Sequence, residues 1–392
     1  MNVDVARAAQ VPPLPSLTGL RFVAALLVFG FHITLMASPI PPNLPINLFA
    51  DPVAARVSSQ LFHVTGYIGV SFFFVLSGFL LAWTARPGES LPTFWRRRFL
   101  KLFPNHLVMW VLSMVLFAGA VTPMVAAVSN LLFLGAYSPD ASVNVAVNPP
   151  TWTLASEALF YLLFPLLIAV IHRIPGTALW GTLGVLAVLM VAIQMANLTL
   201  VPTTPTSALT PVSSAQFWFG YLFPPARLPE FVIGCVAARL VREGRWPRLP
   251  AWTLVALILL GYGLASFVPF VWKFGVVTIV PIIAVIATIA TRDLRRPGRF
   301  LASRPLQWLG TVSFGFYLVQ GVTIFWARSL FGVVTFETPV AALLILAFFV
   351  ITLLAGWVLY ALVEKPAMTI FARTERPRST AQTQGERHGT RT

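Results

Sequence analysis

The sequence predicts an all-α, polytopic integral membrane protein of about ten transmembrane helices, with both termini in the cytoplasm. Three observations carry this expectation. Hydrophobic residues fill 57% of the 392 positions and charged residues only 10%, against about half and about a quarter in soluble chains. The apolar residues gather into ten runs that meet or approach the length of about 20 residues a bilayer-spanning helix needs. The 27 Lys and Arg against 12 Asp and Glu give a net charge of +15, and the basic residues fall in short clusters between those runs. In a soluble chain such an excess would suggest nucleic acid. Here the arrangement reads as topology signal or as a surface for an anionic ligand, and no nucleic-acid partner is expected.

Taken in order, the first 16 residues are polar and contain prolines. The run after them lacks a cleavage site of small residues and reads as a first span rather than a removed signal peptide. The ten spans fall at about 17–36, 64–83, 105–125, 154–171, 177–196, 217–240, 251–269, 274–290, 308–330 and 339–362. The sixth is interrupted by Pro224, Pro225 and Pro229, and the seventh and eighth flank Pro269. Residues 128–137 are too short to span and read as interfacial or re-entrant. With the N-terminus inside, 23 of the 27 Lys and Arg fall on the inner side, leaving Arg56, Arg227, Lys273 and Arg328 outside. That asymmetry calls for an even number of spans. Residues 1–372 then form one membrane-embedded domain, and 373–392, rich in Thr, Gln, Arg and Gly, form a disordered cytoplasmic tail. The single cysteine, Cys235, cannot form an internal disulfide and has no nearby His or second Cys, so no metal site is expected.

Ionisable residues inside spans are costly, and each is a functional candidate. Arg21 and His32 share the first span, eleven residues apart. At about 100° per residue they return to within about 20° of one face, about 16 Å apart along the axis. Both can line one cavity, with Arg21 at the cytoplasmic mouth and His32 nearer the outer leaflet. Arg21 also reads as a snorkelling interfacial residue, and His32 as a buried histidine satisfied by backbone. The fourth span runs outside to inside and carries Glu157 near its outer end, at about the depth of His32. A histidine paired with a carboxylate suffices to draw a proton from a hydroxyl, the carboxylate fixing the ring tautomer. The other reading of Glu157 is a salt bridge between two spans.

The second span holds Gly66, Gly69, Ser77 and Gly78, small residues that allow close helix approach. Ser77 reads as a packing or donor-binding residue, since its own segment supplies no base to make it a nucleophile. Arg96, Arg97, Arg98 and Lys101 then place four cations in six residues at a cytoplasmic helix start. They suit the phosphates of a nucleotide-like carrier or anionic lipid headgroups. Asn105 and His106 follow and extend the same polar mouth.

These motifs together resemble membrane acyltransferase family 3, whose members acylate hydroxyls of sugars, surface polysaccharides and natural products. Leu17-Thr18-Gly19-Leu20-Arg21 followed by His32 is similar to the family's opening Arg-then-His signature. Gly66 to Val70, then Phe73, Leu76, Ser77, Gly78 and Phe79, are similar to its second-span pattern. Arg97, Arg98, Lys101 and Pro104 match its basic loop, with Lys101 where Arg is usual. Trp152, Thr153, Leu154 and Glu157, with Phe160, Tyr161 and Pro165, match its Trp-Ser-Leu-x-x-Glu motif, with Thr153 for Ser. Phe231 and Gly234, Leu309-Gly310, Ser313, Tyr317-Leu318 and Glu364-Lys365-Pro366 extend the likeness to about 350 residues. Gln320 stands where many members carry His, which leaves it a hydrogen-bonding role toward the acceptor.

The wording of the motifs looks most like the family's macrolide O-acyltransferase branch of antibiotic-producing actinobacteria. The resemblance implies transfer of an acetyl, propionyl or similar short acyl group from acyl-CoA to a hydroxyl of a macrolide or related natural product. A cell-envelope polysaccharide or glycolipid sugar is the rival acceptor. No bound cofactor is implied; acyl-CoA is a cosubstrate, and membrane lipids are the remaining partners. His32 and Glu157 are expected to be catalytic, with Arg21, Arg96, Arg97, Arg98, Lys101 and Ser77 on the donor and Trp152, Tyr161, Gln320 and His106 on the acceptor. A secondary transporter is the rival class, although the chain carries no convincing inverted repeat.

Overall fold

The computed structural model describes residues 11–40, 43–86, 88–207, 210–296 and 298–371, and the tail expected at 373–392 lies outside them. Twelve helices of eight or more α-helical residues order these segments. They are α1 (Pro15–Ile33), α2 (Pro52–Phe62), α3 (Thr65–Trp83), α4 (Leu91–Leu116), α5 (Met124–Leu131), α6 (Trp152–Arg173), α7 (Leu179–Leu200), α8 (Pro224–Arg242), α9 (Ala251–Phe267), α10 (Ile279–Asp293), α11 (Arg304–Gln320) and α12 (Thr338–Leu359). After α11 the chain continues through a wide π-turn, Gly321–Trp326, into Ala327–Leu330. Extended structure among the described residues is confined to two isolated bridges, Phe49 with Phe336 and Thr206 with Ser213.

Seven helical stretches among the described residues are long and apolar enough to cross a membrane: Pro15–Ile33, Pro52–Trp83, Leu91–Leu116, Pro149–Arg173, Gly176–Leu200, Arg304–Leu330 and Thr338–Ile370. The chain is therefore an all-α, multi-pass membrane protein. The other three expected spans correspond to less regular elements. Residues 217–240 divide at a π-turn, Trp218–Leu222, and α8 restarts at Pro224. The apolar α9 has 17 residues and α10 has 15.

The third expected span, 105–125, is displaced. Its helix starts at Leu91, with proline in its first turn, tolerates Pro104 within, and ends at Leu116. The basic run therefore lies on the helix rather than before it, because Arg and Lys are good helix formers that an apolar-run criterion passes over. Residues 128–137 are reached by the short α5 and a 3₁₀ turn, Gly135–Tyr137.

Close backbone packing brings α3 against α8. A Cβ built on Gly78 would fall 1.9 Å from the carbonyl oxygen of Phe231, and one on Gly234 would fall 1.9 Å from that of Val75. Only hydrogen side chains let the two backbones touch, the small-residue rule of membrane helices. Helix α11 meets α1 the same way, with Gly310 against the carbonyl of Thr18.

Helix α8 buries charge as well. Arg227 and Glu230 pair at 2.9 Å with side chains 2% and 0% exposed. Arg227 also donates to the Phe274 carbonyl at 3.0 Å and to Ser71 Oγ at 3.1 Å, with its guanidinium over the Tyr221 ring. A buried cation is tolerated when its donors are used in this way. Arg328, 1% exposed, donates to the carbonyls of Ile46, Gly332 and Val334 and ties the loop after α1 to the loop after α11.

Gly234→Ala should force α3 and α8 apart and cost about 1–3 kcal/mol, the usual range for overpacking a tight interior. A lowered Tm of the purified protein in detergent checks this.

Candidate active site

Helix α1 sets the frame. Its eleven-residue spacing puts Arg21 and His32 beside a succession of three neighbouring voids of about 120, 50 and 90 Å³. His32 lines the first, and Arg21 lines the second and third. The first and second share Val70 and Tyr317 as walls; the second and third share Arg21, Phe73 and Glu157.

The first void is an aromatic chamber, with Phe31, Tyr67, Trp152, Phe217, Tyr221 and Tyr317 among its walls. Leu35, Ala37 and Pro39 after α1, Val145 before α6 and Thr210 before α8 also line it, so connecting loops form its rim. Among the described residues, no Asp, Glu, Lys or Arg lines it. His32 Nδ1 lies 2.8 Å from Gln320 Oε1. An amide oxygen only accepts, so Nδ1 carries the hydrogen and Nε2 keeps its lone pair. The ring is also held edge-on by Phe325, with centroids 5.4 Å apart.

The expected pairing of His32 with Glu157 is not formed. Glu157 lines the second and third voids, accepts a 3.0 Å hydrogen bond from the Tyr161 hydroxyl, and sits in the field of Lys101, Arg21 and Arg98. The reason is helical phase. Helix α6 begins at Trp152, preceded by a 3₁₀ turn at Pro149–Thr151. Trp152 therefore occupies the level of His32, and Glu157 lies about 7.5 Å further along.

The third void gathers the opposite chemistry. Arg21, Ser77, Arg98, Lys101, Glu157 and Tyr161 line it, so four of the six residues expected on the donor meet there. Arg98 stacks its guanidinium over Phe94 and Tyr161, at 5.5 and 5.9 Å. Arg96 is exposed, and Arg97 is ion-paired with Glu89; neither lines the void. Tyr161, expected beside the acceptor, stands at this end instead.

His106 also departs from expectation. It is fully buried, stacks on Phe133 with centroids 4.7 Å apart, and donates from Nε2 to the Asn130 carbonyl at 3.0 Å. Trp110, one turn on, donates to the Ala127 carbonyl at 2.9 Å. The i, i+4 pair thus grips α5 from one face of α4, and His106 lines none of the three voids.

Sequence reasoning gave no role to Val70, Tyr317 or Glu364. Glu364 accepts a 3.1 Å hydrogen bond from Asn105 and lies in the field of Lys101 and Arg21. Its signal was available, since an acid at the end of an apolar run needs a partner. Val70 and Tyr317 carry no such mark. Among the described residues, no group of three or more His, Cys, Asp or Glu is placed to hold a metal ion.

A bundle of membrane-length helices with a buried histidine lining one internal void and cations lining another is the framework of a membrane-embedded enzyme. The chain belongs to the acyltransferase-domain family, whose profile matches residues 14–361, and is accordingly an acyltransferase. It is 35% identical over 387 residues to acyltransferase MdmB of Streptomyces mycarofaciens, covering 95% of this chain and 96% of that protein. It is 23% identical over 354 residues to peptidoglycan O-acetyltransferase OatA of Listeria monocytogenes, where the match spans 83% of this chain and half of the relative. No solved structure matches the chain significantly.

His106→Ala should lower stability by about 1–3 kcal/mol, because it removes a fully buried ring stacked on Phe133 together with its hydrogen bond to the Asn130 carbonyl. KM values of the folded fraction should stay at wild type. A raised acceptor KM would restore a binding role to His106.

Proposed function

We propose that the enzyme transfers an acetyl, propionyl or similar short acyl group from acyl-CoA to a hydroxyl of a macrolide or related natural product. One observation carries this reading most directly: an aromatic chamber lined, among the described residues, by no Asp, Glu, Lys or Arg holds His32 against Gln320, and a middle void sharing walls with it also shares walls with a cation-lined void. An uncharged, largely apolar polyol suits such walls better than a charged glycan does. The motif resemblance to the macrolide branch supports the same acceptor, and the end-to-end likeness to a streptomycete acyltransferase supports acyl transfer.

In this reading the chain is a single membrane domain over residues 1–372, with ten spans and both ends cytoplasmic, an arrangement its charge asymmetry supports. Acyl-CoA approaches from the cytoplasm. Arg21, Arg98 and Lys101 hold its phosphates, with Arg96 and Arg97 at the rim, and Ser77 and Tyr161 line the path of its pantetheine arm. Glu157 balances the charge of Arg21 and Lys101 rather than orienting the base. The acceptor reaches the chamber through the loop rim at the opposite end, against Trp152.

The acceptor oxygen attacks the thioester carbonyl carbon while His32 Nε2 takes its proton. The C–O ester bond forms, the C–S bond breaks, and the imidazolium returns the proton to the departing thiolate. Gln320 acts through His32, keeping the hydrogen on Nδ1 so that Nε2 stays basic.

A second acceptor, a cell-envelope sugar hydroxyl, is favoured by the relation to OatA. Mass spectrometry of metabolites, lipids and glycans from cells with and without the gene separates the two by the acylated product that disappears.

His32→Ala should reduce transfer by about 10²–10⁴, the usual contribution of a general base, with folding and acyl-CoA binding retained. Turnover at wild-type rate would remove His32 from the mechanism. Gln320→Leu should lower kcat about tenfold, the worth of one hydrogen bond of about 1.5 kcal/mol, and leave the KM for acyl-CoA unchanged. An effect on KM alone would make Gln320 a binding residue.

A further inference from the structure

Two residues line both the His32 chamber and the middle void: Val70 on α3 and Tyr317 on α11. If the donor arrives from the cation-lined end, as the proposed function holds, its acyl group passes between them before it meets His32. We infer that this Val70–Tyr317 aperture selects the acyl group by cross-section, passing straight chains and excluding those branched next to the carbonyl.

Both jambs are fixed. The Tyr317 hydroxyl lies 2.9 Å from the Pro150 carbonyl, to which it donates, and 3.1 Å from Thr153 Oγ1, while its ring meets Phe73 with centroids 6.0 Å apart. Val70 is 4% exposed and, being β-branched, has one strongly preferred helical rotamer. The backbone behind it is pressed on α1, where a Cβ at Gly69 would sit 2.6 Å from Val28 Cγ2 and one at Gly66 would sit 2.5 Å from the Phe31 ring. Neither wall yields without moving a helix.

The geometry separates width from length. Each methylene added to a straight acyl chain follows the same track, so the width to be admitted does not change. A methyl on the carbon beside the carbonyl widens the group at one point, where a packed wall has no room for it. Butyryl and isobutyryl have the same atoms and differ only in this respect.

The test uses a thiol at the end of the path. Cys235 is the only native cysteine and is fully buried, so in the full-length His32→Cys protein the introduced thiol is the one facing the chamber. Transthioesterification moves the acyl group to it from acyl-CoA, releasing CoA thiol, and intact-mass spectrometry reads the adduct without needing the natural acceptor; His32→Ala is the blank. The protein is incubated with acetyl-, butyryl- or isobutyryl-CoA.

Butyryl-CoA should label at least about tenfold faster than isobutyryl-CoA, the discrimination expected of one misplaced methyl. Adding Val70→Ala should close that gap. Should that variant not fold, Tyr317→Phe, which releases the ring from Pro150 and Thr153, should narrow it. Equal labelling by the two isomers in the His32→Cys parent overturns the inference, as does a gap that persists in both aperture variants. Absence of labelling even by acetyl-CoA overturns the donor route itself and the inference with it. That result is distinct, because acetyl is the narrowest of the three.

Discussion

The contact of bare backbones at Gly78 and Gly234 governs the interior of this protein. Because α3 and α8 touch there, α3 is held at the centre of the bundle, with α1 on another side against Gly66 and Gly69. The internal path runs along the remaining face of α3, toward α6 and α11, where Val70, Phe73, Phe74 and Ser77 succeed one another along its walls. Bare backbone at the glycines on one side of α3 and space on the other belong to one arrangement. Helix association in lipid depends on such close packing, since the hydrocarbon surroundings supply no hydrophobic drive.

Electrostatics divides the path into unlike halves. Arg21, Arg98, Lys101, Glu157 and Glu364 cluster at one end, where each charge has an opposite partner within its field. The chamber at the other end holds one titratable base among aromatic rings. The first end suits an anionic group and the second an uncharged one. Between them, the middle void sets the apolar walls of Val70, Phe73, Phe74 and Tyr317 beside Arg21 and Glu157.

The sequence revealed the apolar spans and the alignment of Arg21 with His32, because both follow from helical periodicity on a continuous helix. It also revealed the basic run, but not which of its members face inward. Arg98 and Lys101, three residues apart, share a face of α4, and Arg96 and Arg97 turn away from it. That distinction becomes readable only when the helix is known to begin at Leu91. The partner of His32 was hidden for a different reason. A carboxylate in a span announces itself by its cost, whereas Gln320 is neutral, lies nearly three hundred residues away in sequence, and depends on the packing of α11 against α1 to reach the ring. Glu157 fell out of phase by about a turn and a half once α6 began at Trp152.

The π-turn at Gly321–Trp326 begins at the residue after Gln320. A π-turn holds one residue more than the α-helical repeat requires, and it absorbs that surplus in a local bulge. The surplus is therefore taken up without rotating the helix on either side, so Gln320 before it and Arg328 with its three carbonyl partners after it are set independently. The bulge acts as a spacer, which loosens the backbone ladder of this segment without turning the amide that faces the imidazole.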